Sequence, residues 1–71
     1  MSQTIRAEMV ASIHTVVAAA GDRVEIGDTI MLLESMKMEI PVVVEQAGTV
    51  LEIAVAPGDV VREGDVLAIL A

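Results

Sequence analysis

The stretch that decides the fold is Gly21-Asp22-Arg23-Val24-Glu25-Ile26-Gly27-Asp28, which recurs 37 positions later as Gly58-Asp59-Val60-Val61-Arg62-Glu63-Gly64-Asp65. The same shift lays residues 7–34 over residues 44–71. Two copies are too few for a solenoid, and neither copy is long enough to bury a face alone. We therefore predict one domain over residues 1–71, built from two pseudo-symmetric halves.

Composition limits the classes of function. The chain has 71 residues with no cysteine and no aromatic residue, so its core must consist of Val, Ile, Leu, Ala and Met. Its net charge of −7 repels phosphate backbones and anionic lipid, which argues against nucleic-acid and membrane partners. Residues 1–6 lack the apolar core of a signal peptide, and no apolar run is long enough to span a bilayer. We expect a cytoplasmic protein that is a monomer when alone.

Short runs rich in Val, Ile and Leu alternate with Gly-Asp turns, a pattern typical of an all-β fold. In both halves the apolar spacing breaks alternation at the same place, after Ile13 and after Val50, which indicates a bulge or bend. Each turn glycine should supply a positive φ, and each turn aspartate should hydrogen-bond local backbone. We predict a flattened eight-stranded barrel or two small facing sheets, with strands near residues 4–7, 11–18, 22–24, 29–35, 38–44, 48–56, 59–61 and 66–70.

The only lysine, Lys37, lies in the segment that joins the two halves. The equivalent positions of the other half fall outside the chain, so a pseudo-two-fold axis places Lys37 at the pole opposite the termini. The flanking strands are close enough for a two-residue hairpin centred on Met36 and Lys37. The predicted cross-strand neighbours are then Ser35 with Met38 and Glu34 with Glu39.

This hairpin breaks two local rules. Such turns need a positive φ at both central residues, for which Met and Lys are poor choices, and facing glutamates repel each other. Sequences tend to break local rules at functional sites, which makes Lys37 the leading candidate residue. The simpler interpretation is a solvated hairpin lysine flanked by core methionines.

The run Glu34-Ser35-Met36-Lys37-Met38-Glu39 resembles the Glu-Ala-Met-Lys-Met motif of biotinyl domains, which belong to the biotin/lipoyl-attachment family. The resemblance covers nearly the whole chain, including both pairs of Gly-Asp turns and Gly48-Thr49-Val50. It implies a barrel-sandwich hybrid of two pseudo-two-fold-related four-stranded halves, with the modified lysine on an exposed hairpin opposite the paired termini. In size, the chain resembles the small free-standing biotinylated members of this family in actinobacteria.

The same resemblance implies a function. Biotin protein ligase would attach biotin covalently to Lys37, and the loaded arm would swing between biotin carboxylase and carboxyltransferase subunits for carboxyl transfer. Met36 and Met38 would pack against these partners, since flexible thioethers suit a surface that meets several proteins. The motif assigns recognition roles to Glu34, Ser35 and Glu39. The chain would be a non-catalytic carrier, because no acid, base or nucleophile cluster is visible in it.

Three features depart from the family pattern. Ser35 replaces the usual alanine, a small change that should still permit modification. Glu8 and Glu45 replace the first proline of two Ala-Pro motifs, which bears on docking to a carboxylase more than on the fold. No insertion lies between Ala18 and Gly21, so we expect the protruding thumb of some bacterial carriers to be absent.

Two other interpretations stay open. A lipoyl carrier would have the same fold, but lipoyl domains typically show Asp-Lys-Ala where this chain has Met36-Lys37-Met38. The other is an unmodified barrel that acts as an interaction module. We expect no metal site, because His14 is the single histidine and the turn aspartates lack the spacing of a calcium loop.

Overall fold

The computed structural model describes residues 2–71, which form eight strands. The strands are β1 (Gln3–Arg6), β2 (Ala11–Val16), β3 (Arg23–Val24), β4 (Thr29–Ser35), β5 (Met38–Val43), β6 (Gly48–Ile53), β7 (Val60–Val61) and β8 (Val66–Leu70). They make two four-stranded antiparallel sheets, ordered β1-β8-β6-β3 and β5-β4-β2-β7. The sheets do not close on each other, so the predicted all-β fold is confirmed in its flattened sandwich form. Within the described residues there is no helix that could cross a membrane.

Each half of the chain contributes two strands to each sheet. The edge strands are equivalent: β1 pairs with β8 of the second half, and β5 pairs with β4 of the first. Gln3 pairs with Leu70, which brings the two ends of the described chain together. The β4–β5 hairpin lies at the other end of an elongated molecule that measures 33 × 18 × 17 Å.

The Gly-Asp turns tie one half of the chain to the other. Their glycines have φ between 91° and 96°, as predicted. The Gly21 N–H donates to the Val50 carbonyl and the Gly58 N–H donates to the Ile13 carbonyl, both at 2.8 Å. In each turn an aspartate Oδ2 also accepts the backbone N–H three residues earlier, at 2.8–2.9 Å. These aspartates are Asp22, Asp28, Asp59 and Asp65.

Both long strands carry a bulge where the apolar spacing predicts one. The β2–β4 register shifts between Ile13 and Thr15, and the β6–β8 register shifts between Val50 and Glu52. Ile13 and Val50 are both buried. The bulge lets unevenly spaced apolar side chains of one strand face the same core.

The same two strands end earlier than predicted, at Val16 and Ile53 instead of residues 18 and 56. After Val16, two successive N–H groups donate to the single carbonyl of Ile30, at 2.9 and 3.1 Å. Regular strand pairing ends here, because two successive N–H groups use one carbonyl instead of two.

The core between the sheets consists of Val, Ile, Leu and Ala side chains and one Met. Ile30 and Leu67 occupy equivalent positions in the two halves, and each is at most 1% exposed. No polar or charged side chain is buried among residues 2–71. The buried residues are Ala7, Ala11, Ile13, Ala18, Val24, Ile30, Met31, Leu33, Val44, Val50, Val61, Leu67, Ala68 and Leu70. Burial of each large aliphatic side chain contributes about 1.5–3 kcal/mol, which stabilises the sandwich without disulfides or metal.

Replacing Asp22 or Asp59 by Ala should lower the free energy of unfolding by about 1 kcal/mol, because one turn hydrogen bond is lost in each case. The two costs should agree, since the turns are equivalent. Urea denaturation followed by circular dichroism measures both. Glu63→Ala, which removes an exposed carboxylate from a neighbouring turn, is the control and should cost less than about 0.5 kcal/mol. Equal costs for Glu63→Ala and Asp59→Ala would contradict this role of the aspartates.

Gly48→Ala should destabilise the protein by about 1–3 kcal/mol, the usual cost of forcing an extra methyl group into a packed site. A Cβ at this position would collide with the carbonyl oxygen of Ala71. The same carbonyl accepts the Thr49 N–H at 3.2 Å, so the terminal pairing would have to shift. The comparison is a chain that ends at Leu70, in which the substitution should cost much less. An equal cost in both chains would show that the collision is not the cause.

Candidate functional site

The candidate site is the two-residue hairpin between β4 and β5. Its cross-strand register is the predicted one, with Ser35 opposite Met38 and Glu34 opposite Glu39. The central residues Met36 and Lys37 have φ of 52° and 67°, and no other non-glycine residue between 2 and 71 has a positive φ. This pair of angles matches the twist of the flanking strands, but costs about 1–2 kcal/mol for each non-glycine residue. The hairpin thus keeps two residues in a strained backbone conformation, where Asn-Gly would fold more easily.

The Lys37 side chain is exposed at the tip of this hairpin. The ion pair found among residues 2–71 joins Arg23 to Glu25 at 3.5 Å, and Lys37 makes none with the described carboxylates. Because it is the only lysine, it is also the only side-chain amine that an acylating enzyme could meet. The site therefore presents one unengaged nucleophile away from the core.

The methionines on either side of Lys37 are exposed as well. Met36 is 91% exposed and Met38 is 64% exposed. The sequence left open whether Met38 enters the core, since it belongs to a strand whose alternate residues Ile40 and Val42 are half-buried. It lies beyond the last core layer, opposite the half-buried Ser35, and has little to pack against. The hairpin therefore displays apolar surface on both sides of the amine.

The loop between β1 and β2 lies beside the hairpin. Ser12 pairs with Glu34, so the residues just before β2 continue along the end of β4. Met9 is 38% exposed and Val10 is 62% exposed in this loop. They enlarge the apolar surface near Lys37. Neither residue was among the predicted site residues, because their place beside the hairpin follows from strand pairing.

Carboxylates border this apolar surface. Glu34 and Glu39 face each other across the hairpin and both are exposed. Two further glutamates, Glu8 and Glu45, stand where the family has proline. Glu8 is exposed in the β1–β2 loop, and Glu45 lies after β5 in the second half of the chain. No cation is paired with these carboxylates in the described part of the chain. The Lys37 amine is therefore bordered by carboxylates that form no ion pair among the described residues.

The remaining polar groups do not assemble into a reaction centre. A groove of about 310 Å³ runs between the edge strands β1 and β5, and its lining combines aliphatic side chains with Arg6, Glu8 and Glu45. His14 is exposed on β2, where its Nδ1 lies 2.7 Å from the Thr15 Oγ1. Between residues 2 and 71 no three His, Asp or Glu side chains are grouped as metal ligands. Among the described residues, the hairpin with Lys37 is therefore the candidate site.

Comparison with known proteins agrees with this geometry. Residues 3–70 match the biotin/lipoyl family model described as "biotin-requiring enzyme". The chain is 48% identical over 71 residues to the biotinylated protein TB7.3 homolog of Mycobacterium leprae, covering 100% of both chains.

Two solved structures have the same fold. One is the urea carboxylase of Kluyveromyces lactis, with a TM-score of 0.93 and 34% identity over 100% of this chain and 6% of that enzyme. The other is the lipoyl domain of the 2-oxoglutarate dehydrogenase complex from Azotobacter vinelandii. It has a TM-score of 0.82 and 26% identity over 96% of this chain and 94% of that domain. Given the extent of the family match and the full-length relative, this chain belongs to the biotin/lipoyl-attachment family.

Proposed function

We propose that this chain is a biotin carrier and that the Lys37 side chain is its point of covalent attachment. The observation that carries the proposal is the exposed, unpaired and unique lysine at the tip of a strained hairpin in a chain of this family. The full-length relative from Mycobacterium leprae is named as a biotinylated protein, which supports biotin as the cargo. An amide on Lys37 fits the structure, because the side chain projects from the fold without a neighbouring group to displace.

The residues of the hairpin have distinct tasks in this proposal. Biotin protein ligase would bring an activated carboxyl group to Lys37, whose amine attacks after losing a proton. Amide formation removes the positive charge, which leaves Glu34 and Glu39 facing each other without a nearby cation. Met36 and Met38 give the ligase, and later partners, an adaptable apolar surface on which to dock. Ser35 is small enough to leave that surface open.

When bound, biotin supplies a ring nitrogen that carries a carboxyl group between two reactions. This chain supplies presentation, since the lysine arm tethers the carrier group and raises its effective concentration at a docked enzyme. The solved urea carboxylase contains a region of this fold, which supports a carboxylase as the wider partner. We propose separate biotin carboxylase and carboxyltransferase subunits as the two enzymes that Lys37 visits.

The proposal also covers domain organisation, oligomeric state and localisation. Residues 1–71 act as one biotinyl domain whose internal repeat covers 7–34 and 44–71. The single aliphatic core supports this, since it draws on both halves. We also propose that the protein is cytoplasmic and is a monomer when alone.

A lipoyl carrier is the second candidate, because the lipoyl domain from Azotobacter vinelandii shares the fold. The fold therefore does not discriminate between the two cargos. The residues of the hairpin favour biotin over lipoate, because Met36 and Met38 flank the lysine where lipoyl domains typically have Asp and Ala. Mass spectrometry of the protein after incubation with each ligase and its cofactor decides between them, and a lipoyl adduct on Lys37 would overturn the proposal.

Lys37→Arg should abolish modification without loss of stability, because Arg keeps the charge and the exposure but offers no amine of the same reactivity. Co-expression with biotin protein ligase should add one biotinyl mass to the native chain and none to the variant. The free energy of unfolding should change by less than about 0.5 kcal/mol, as for other surface substitutions. Adding Arg23→Lys to this variant is the matched control, since it supplies an exposed strand lysine outside the hairpin. Labelling of Lys37→Arg would contradict the assignment of Lys37, and labelling of the double variant would contradict the requirement for the hairpin.

Met36→Asn should raise the free energy of unfolding by up to about 1 kcal/mol, because Asn tolerates a positive φ better than Met. The same substitution should slow biotinylation, since it removes apolar surface beside Lys37. Urea denaturation and the initial rate of labelling measure the two effects. Met38→Asn is the control: its position is a strand, so it should slow labelling without any gain in stability. Faster labelling of the more stable Met36→Asn would contradict a docking role for Met36.

A further inference from the structure

The methionine residues differ sharply in their exposure. Met31 lies on β4 with its side chain fully buried, at 0% exposure. Met36 and Met38, only a few residues further along the chain, are 91% and 64% exposed. Met9 is intermediate at 38%. The most accessible thioethers in the described chain are thus the two that flank Lys37.

The surrounding residues bury little of the Met36 and Met38 side chains. Met36 is held at a φ of 52° in the turn, beyond the paired residues of both strands. Met38 is paired with Ser35, whose small side chain covers little of it. The buried core ends before the hairpin tip, and the β1–β2 loop beside the tip leaves both methionines mostly exposed. Solvent oxidants therefore reach both sulfur atoms in the native state, without any opening of the fold.

We propose that Met36 and Met38 are a modification site for peroxides, and that sulfoxide formation there lowers the rate at which Lys37 accepts its cargo. The inference rests on the proposed function, because it concerns the enzyme that modifies Lys37. The site takes hydrogen peroxide or a small hydroperoxide, for which exposure of the thioether sets the rate.

The chemical step is an oxygen transfer. A sulfur lone pair attacks one oxygen of hydrogen peroxide, the O–O bond breaks, and a sulfur–oxygen bond forms. The hydroxyl now on sulfur gives its proton to the hydroxide that leaves, which forms water, so the sulfur is oxidised by two electrons and the peroxide is reduced by two. The product is a polar, chiral sulfoxide in place of a flexible apolar side chain, and sulfoxide reductases reverse it.

The consequence follows from the apolar surface that the methionines provide. An enzyme that docks on Met36 and Met38 covers thioether groups and needs no hydrogen-bond donors opposite them. After oxidation the same contact would bury a sulfoxide oxygen without a partner, which is unfavourable. We expect the kcat/KM for labelling of Lys37 to fall about tenfold, or about 1.4 kcal/mol. The core stays intact, because Met31 is out of reach of the oxidant.

The experiment treats the unmodified full chain with hydrogen peroxide, removes the oxidant, and maps sulfoxides by peptide mass spectrometry. Oxidised and untreated samples are then labelled with biotin, ATP and biotin protein ligase, and initial rates are compared. A third sample is treated with methionine sulfoxide reductases before labelling. The matched variant carries Met36→Leu and Met38→Leu, and its own untreated rate is its reference.

The expected result has three parts. Met36 and Met38 oxidise first while Met31 stays reduced, labelling of the native chain slows about tenfold, and the reductases restore it. The double-leucine variant keeps its own rate after peroxide, which excludes Met9 and the core as the cause. Circular dichroism should show the same fold before and after treatment.

Other results overturn the inference in recognisable ways. Equal rates before and after oxidation of both methionines would show that the sulfoxides do not matter to the ligase. A rate loss of the same size in the double-leucine variant would assign the effect to another residue. If the untreated chain is not labelled at all, the proposed function fails, and the oxidation pattern alone remains.

Discussion

The structure depends on the hydrogen bonds that the first Gly-Asp turn of each half makes with the long strand of the other half. The Gly21 N–H donates to the Val50 carbonyl and the Val50 N–H donates to the Asp22 carbonyl, both at 2.8 Å. Gly58, Ile13 and Asp59 repeat the pair with the halves exchanged, again at 2.8 Å. Each half thus satisfies backbone groups of the other, and these bonds require turn glycines that accept a φ near 90°. The two-fold arrangement follows, and with it the separation of the lysine hairpin from the chain ends.

That separation makes the hairpin energetically independent of the core. The buried residues stop short of the tip, so the tip can keep a sequence that lowers stability. Its two left-handed residues and its facing glutamates are local costs of a few kcal/mol at most. Burial of the apolar core offsets these costs, although the core residues lie away from the tip. A carrier benefits from this division, because partners that handle the tip do not disturb the fold that holds it.

Much of this could be predicted from the sequence because the information was local or repeated. The hairpin register follows from the number of residues between two apolar runs, and the bulges after Ile13 and Val50 from a spacing fault that occurs twice. The early end of β2 was missed, since it results from two N–H groups sharing the Ile30 carbonyl across the sheet. Met9 and Val10 were not predicted as residues of the site. Their place beside the hairpin depends on the pairing of Ser12 with Glu34, which no local pattern encodes.

The same division explains why fold alone does not name the cargo. A lipoyl domain and a region of a carboxylase share this sandwich with TM-scores of 0.82 and 0.93, so the core carries no information about the group attached. The enzymes that attach the cargo must therefore distinguish these domains by the residues they contact at the hairpin tip. Exposed methionines contribute little to a free chain in water, since their apolar area is hydrated there. They become favourable only when a partner covers them, and the residues next to Lys37 therefore act mainly in complexes.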